Sequence, residues 1–169
     1  MTLDELNTLP EEEATAAFLR CCGATQWARH MTARRPFADP DGLFAAADAI
    51  WTGLSRDDWL EAFAHHPRIG DVESLRKRFA STRAWAAGEQ AGTATASEDV
   101  LRGLAEGNRA YEERFGYIFI VCATGKSADE MLGLLRARLP NDPVAELPVA
   151  AEEQRRITRL RLEKLIRDA

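Results

Sequence analysis

Apolar residues recur at three- and four-residue spacing along nearly the whole chain, and that period constrains the fold more than any other feature. Ala14, Ala17, Phe18 and Cys21 form one such stripe, and Leu43, Phe44, Ala47, Ile50 and Trp51 form another. Leu101, Leu104, Asn108, Tyr111 and Phe115 repeat it in a 3-4-3-4 pattern from about Glu98 to Phe115. Helix punctuation falls between the stripes. Pro10 followed by Glu11, Glu12 and Glu13 is a helix start, with acids where the macrodipole favours them. Gly23, Arg34-Arg35-Pro36 and Gly116 are stops. Ser55-Arg-Asp-Asp58 is capping-box-like, and Ser127-Ala-Asp-Glu130 is a full capping box. The helix opened by Ser55 ends at His66, because a residue before proline is pushed out of the α region. Residues 71–90 read as two shorter helices around Leu75, Phe79 and Trp85, residues 91–96 as a loop, and 143–167 as a last helix with Pro148 as its kink point. Tyr117 to Ala123 is a continuous apolar run with no second candidate strand to pair with, so it reads as an extended buried segment. The expectation is an all-α, single-domain bundle of about eight helices over residues 1–169.

Composition excludes several classes. At 169 residues the chain suits one domain, and 46% hydrophobic with 29% charged residues is enough to bury a core. A formal charge of −5 argues against a protein that tracks nucleic-acid phosphates, although a small anionic ligand needs only one or two local cations. The 117–123 run is far short of the roughly 20 residues that span a bilayer. Residues 1–13 are acidic and lack the basic and apolar pattern of a secretory signal. The three cysteines, vicinal Cys21-Cys22 and Cys122, make a poor disulfide framework and have no zinc spacing. They read as small buried thiols in a soluble, cytoplasmic protein that binds no nucleic acid and no membrane.

Four features do not fit a bland bundle. His66, in His65-His66-Pro67-Arg68-Ile69-Gly70, sits at a helix end on a loop edge; it can cap stray carbonyls there, or reach into a cavity and act near neutral pH. Adjacent histidines without a nearby Cys or acid at ligand spacing do not suggest a metal site. Glu89 lies four residues after Trp85 on the same helical face, with Gln90 beside it; both are either helix-end polar residues or readers of a ureido-type group. Asn108 interrupts an apolar stripe and must satisfy its amide, by holding a loop or by facing a site. Arg161 falls with Ile157 and Leu165 within an arc of roughly 80° at about 100° per residue, so it requires an internal acid or a bound carboxylate, whereas Arg155 and Arg159 point towards solvent. An extended 117–123 segment would also present main-chain N–H and C=O groups to a ligand, beyond packing the core.

The order of these pieces is more specific than any one of them. His66-Pro-Arg-Ile-Gly70, then Gly88-Glu-Gln90, Asn108-Arg-Ala-Tyr-Glu-Glu-Arg-Phe-Gly-Tyr-Ile-Phe-Ile120, Gly125-Lys-Ser-Ala-Asp-Glu130 and Arg161-Leu162 resemble the 2-oxo-4-hydroxy-4-carboxy-5-ureidoimidazoline (OHCU) decarboxylases of urate breakdown, over essentially the whole chain. The resemblance implies an all-α, homodimeric, cytoplasmic enzyme without metal or organic cofactor, which converts a small ureidoimidazoline to (S)-allantoin and CO2. Carried over by position, His66 matches the catalytic histidine, with Glu89 as its acid. Pro67, Ala86, Gln90, Phe119, Ile120, Val121, Ala123 and Arg161 match substrate-binding positions. The family often has Ser where this chain has Ala86, so that hydroxyl contact is absent here. Two alternatives are a non-catalytic helical interaction domain, and another cofactor-free lyase or hydrolase acting on a related ureide. The lack of GxSxG and P-loop motifs argues only against esterase-like and nucleotide-dependent chemistry.

Overall fold

The computed structural model describes residues 1–68, 71–85 and 93–167, apart from the side chains of 78, 80–85 and 93–97. Among these residues there are nine helices and no strand. They are α1 (Leu3–Thr8), α2 (Glu11–Cys21), α3 (Thr25–Arg34), α4 (Pro40–Thr52), α5 (Arg56–Ala64), α6 (Val72–Trp85), α7 (Thr93–Phe115), α8 (Ala128–Arg138) and α9 (Pro143–Leu165). The all-α expectation therefore holds, with one helix more than the stripes suggested.

The extra helix is α1, too short for an apolar stripe, with Leu6 as its buried residue. Its signal was a capping box. The Thr2 N–H donates to Glu5 Oε2 at 2.7 Å, and the Glu5 N–H donates to Thr2 Oγ1 at 3.0 Å. Two boundaries also differ. Residues 72–85 form one helix rather than the start of two, since they contain no Gly or Pro to break it. The α7 helix begins at Thr93, so most of the expected 91–96 loop is helical; Thr93-Ala-Thr-Ala likewise carries no breaker. The Ser55 box closes fully with Asp58, whereas Ser127 accepts the Glu130 N–H at 3.1 Å without the return bond to its own main chain.

Packing groups the chain into two compact units, Met1–His66 with Ala151–Ala169, and Pro67–Ala150. In the first, α3 packs against α2, α4 and α5. Phe18 meets Trp27 edge-to-face at 5.9 Å, over a core that includes Met31, Leu43 and Phe63. Each such side chain contributes roughly 1.5–3 kcal/mol by leaving water. The Trp51 indole N–H donates to the Ala151 carbonyl at 2.9 Å, which ties α4 to the start of this unit's part of α9. All three cysteines are buried thiols, as expected.

In the second unit α7 packs against α6 and α8. Gly103 and Gly107, one turn apart on α7, face Leu132 and Leu135 of α8 so closely that a Cβ at Gly107 would lie 2.5 Å from Leu135 Cδ2. Residues 118–123 are neither helix nor strand, as their lack of a pairing partner suggested.

Candidate active site

His66 is positioned by the end of α5, which is fastened on two sides. Ala24, at the start of α3, has no side chain to cap that helix, and Glu61 of α5 does so instead. Its carboxylate accepts the Thr25 N–H at 2.9 Å and the Thr25 hydroxyl at 2.7 Å, an anion at a positive helix end. Gly23 lies against the His65 ring: a Cβ there would sit 2.7 Å from Nδ1, so only glycine admits this approach. His65 closes α5, its Nδ1 2.9 Å from the Glu61 carbonyl. The helix thus ends at Ala64 with His65 as its cap, two residues before the His66 that the Pro67 rule suggested.

The half-buried His66 ring meets a polar row on α9. Its Nε2 lies 2.5 Å from Gln154 Oε1, and the Gln154 amide donates to Thr158 Oγ1 at 3.0 Å. Gln154 and Thr158 are themselves buried, and Thr158 influences the Cys22 thiol. Burial pushes both Cys21 and Cys22 up to about 11, which keeps them neutral thiols near pH 7.

Arg161 belongs to the same row. At about 100° per residue, Gln154, Thr158 and Arg161 fall within roughly 60° of one another on α9. Arg161 is half-buried, and its Nη1 donates a long 3.4 Å bond to the carbonyl of Cys21, at the negative end of α2. The expected core face, however, is displaced. Ala151, Gln154, Thr158 and Leu162 are the buried stripe, while Ile157, Arg161 and Leu165 lie at its edge. Nor do Arg155 and Arg159 simply face solvent: Arg155 bridges Glu152 and Asp48, and Arg159 lies over the Phe44 ring at 4.0 Å. The wheel was centred on the large apolar residues, whereas small and polar side chains line the true interior.

In the second unit, Phe119 is half-buried, Ile120 and Val121 are buried, Ala123 is half-buried and Pro67 is exposed. Arg138 organises this segment. Its guanidinium donates to the Ile120 carbonyl at 2.6 Å and to the buried Glu146 carboxylate at 2.8 Å, and lies 4.5 Å from the Phe119 ring centre. The Tyr111 hydroxyl completes the set, 3.4 Å from Arg138, with its ionisation pushed well upward by burial. Lys126 Nζ takes the Cys122 carbonyl at 2.7 Å. Among the described residues no main-chain partner meets the N–H groups of 119–121. Asn108 is half-buried.

The structure therefore sets His66 against Gln154 on the face of α9 that also carries Arg161, and leaves 119–123 without helix or strand. Ala86, Glu89 and Gln90 lie outside the described residues. Sequence reasoning missed Gln154, Thr158 and Arg138. The first two carried a signal, since they stand at i−7 and i−3 from Arg161 on its own helical face. Among the described residues, no group of three or more His, Cys, Asp or Glu side chains could hold a metal, and no helix is long and apolar enough to cross a membrane.

Fold and site together define an all-α protein with a helix-end histidine on a buried amide and an arginine along the same helix face. Its sequence matches the family model described as OHCU decarboxylase over residues 7–163, and the chain belongs to that family. It is 38% identical over 148 residues to the Arabidopsis thaliana uric acid degradation bifunctional protein TTL, covering 88% of this chain and 46% of that protein. It is 28% identical to an Amia calva 2-oxo-4-hydroxy-4-carboxy-5-ureidoimidazoline decarboxylase, covering 98% and 95%. The chain thus spans less than half of the Arabidopsis relative, and 33% of the Bacillus subtilis uric acid degradation bifunctional protein PucL, to which it is 27% identical over 98% of its own length. A crystal structure of OHCU decarboxylase in the presence of (S)-allantoin superimposes with a TM-score of 0.71 at 35% identity, covering 95% of this chain and all of that one. A structure of (S)-allantoin synthase, at 21% identity and a TM-score of 0.69, shares the fold.

Proposed function

We propose that this chain is a carboxy-lyase that accelerates decarboxylation of OHCU to (S)-allantoin and CO2 in urate degradation. The observation that carries the reading is the likeness, over 95% of the chain, to an OHCU decarboxylase crystallised with (S)-allantoin. The relatives named for uric acid degradation support the pathway. From the family resemblance we extend the proposal to a cytoplasmic homodimer that needs no cofactor.

Loss of CO2 leaves the electron pair of the broken C–C bond on the ring. The adjacent conjugated C=N accepts it and its nitrogen takes a proton from water, the hydroxyl proton leaves as the carbonyl forms, and a proton returns to carbon to set the stereocentre. The protein must turn the carboxylate out of the ring plane, stabilise the developing charge and direct that proton. In this reading His66 is the general acid/base that manages the hydroxyl proton and delivers one to the product. Arg161 holds a carbonyl or the departing carboxylate, and the long bond to Cys21 uses one of its five N–H donors. Glu89 steadies His66 or the ureido N–H groups, and Gln90 reads the ureido oxygen. Main-chain groups of Phe119, Ile120, Val121 and Ala123 contact the ring, with Pro67 and Ala86 bordering it. That no main-chain partner among the described residues meets the 119–121 N–H groups supports that assignment.

The test generates OHCU in situ from urate with excess urate oxidase and hydroxyisourate hydrolase, and follows near-ultraviolet circular dichroism. Rapid appearance of one allantoin enantiomer, abolished in His66→Ala with the helical signal intact, is the expected result. Slow racemic product, unchanged by the protein, would remove the reading and leave a helical interaction domain or action on a different ureide.

A further inference from the structure

We propose that Gln154 is a positioning residue for His66: its buried amide holds the imidazole with Nε2–H turned towards it. The inference deepens the decarboxylase reading and rests on its assignment of His66 as the acid/base.

The geometry is a chain of polar groups in one unit. Gln154 is fully buried, so no solvent competes for its amide, and each end of the amide has a partner. The NH2 end donates to Thr158 Oγ1 at 3.0 Å, which turns the carbonyl end to His66 Nε2 at 2.5 Å. An amide oxygen can only accept, so Nε2 must carry the proton. Thr158 is itself buried on the same face of α9. The amide is thus anchored independently of any ligand.

A neutral orienter has a different consequence from a carboxylate. An aspartate or glutamate in this position would hold the ring as imidazolium and raise its pKa. Glutamine fixes the direction of Nε2 without adding a charge on that side of the ring.

The experiment uses 15N-histidine-labelled protein and long-range proton–nitrogen correlation spectra, in which three histidines are resolved, together with the circular dichroism assay. His66 is expected as the Nε2–H tautomer in the native protein and as a mixture of tautomers in Gln154→Met. That variant should lose roughly ten- to hundred-fold in kcat with KM changed less than about threefold. Gln154→Glu should move the acidic limb of the pH–rate profile upward by about one unit or more. Thr158→Val, which removes the amide's anchor with little change of shape, should mix the tautomers in the same direction and provides the test if Gln154→Met does not fold. A native His66 protonated on Nδ1, or an unchanged tautomer and kcat in the variants, would overturn the proposal. The spectra need no turnover. An inactive native protein with an Nε2–H His66 would therefore sink the decarboxylase reading while leaving the amide's hold on the ring intact.

Discussion

Two arginines illustrate how differently residues of one type can be held. Arg138 is buried against an equally buried Glu146, and its remaining donors go to the Ile120 carbonyl and Tyr111. Removing one member of such a pair leaves a charge with neither water nor partner. Arg138→Met should cost about 3–5 kcal/mol in urea unfolding, and Arg138→Met with Glu146→Met should recover a substantial part of that loss. Arg161 makes one long bond from a half-buried position. Arg161→Gln should cost at most about 1 kcal/mol by the same measurement while lowering turnover in the allantoin assay. The rule that an interior arginine needs an anion was sound. It applied to Arg138, whose partner eight residues away is set by the turn between α8 and α9 rather than by a helical period.

Helices were legible wherever a stripe and its punctuation agreed. Ser55 shows the gain from such agreement: Ser55→Ala removes the side-chain bond to the Asp58 N–H and should cost about 1 kcal/mol in thermal or chemical unfolding. Where punctuation was weak, boundaries moved, as at the start of α7. Helix-to-helix distance was not legible at all. Gly107 and Gly133 are both helical glycines, and a sequence treats them alike. Gly107 faces Leu135, which is fully buried and hemmed in, whereas nothing lies within 4 Å of a Cβ built at Gly133. Gly133→Ala should therefore stabilise by roughly 0.5–1 kcal/mol through helix propensity. Gly107→Ala should destabilise by about 1 kcal/mol or more, because overpacking exceeds that gain. Opposite shifts in melting temperature are the expected outcome, and equal shifts would contradict the close α7–α8 contact.

At the scale of the molecule, the buried vicinal thiols set an alkaline limit to stability. Unfolded, Cys21 and Cys22 ionise near the ordinary 9.0; folded, burial holds them protonated up to about 11. Their contribution is complete below pH 9 and is lost as pH rises from 9 to about 11, by up to roughly 1.4 kcal/mol per thiol per pH unit. Melting temperature should fall across that window, and less steeply in Cys21→Ala with Cys22→Ala. The native thiols should also resist maleimide at pH 7 until the chain is unfolded. By itself the sequence determined the helical class, most helix limits, the burial of the cysteines and the family, because periodicity, caps and ordered motifs are local or linear properties of a chain. Only tertiary structure decided that Gln154, 88 residues beyond His66, takes its imidazole, that α9 buries Gln154 and Thr158 in place of Ile157 and Leu165, and that Arg138 holds the 119–123 segment. Those partnerships arise where separate elements meet, and a helical period cannot encode which polar side chain faces another across that contact.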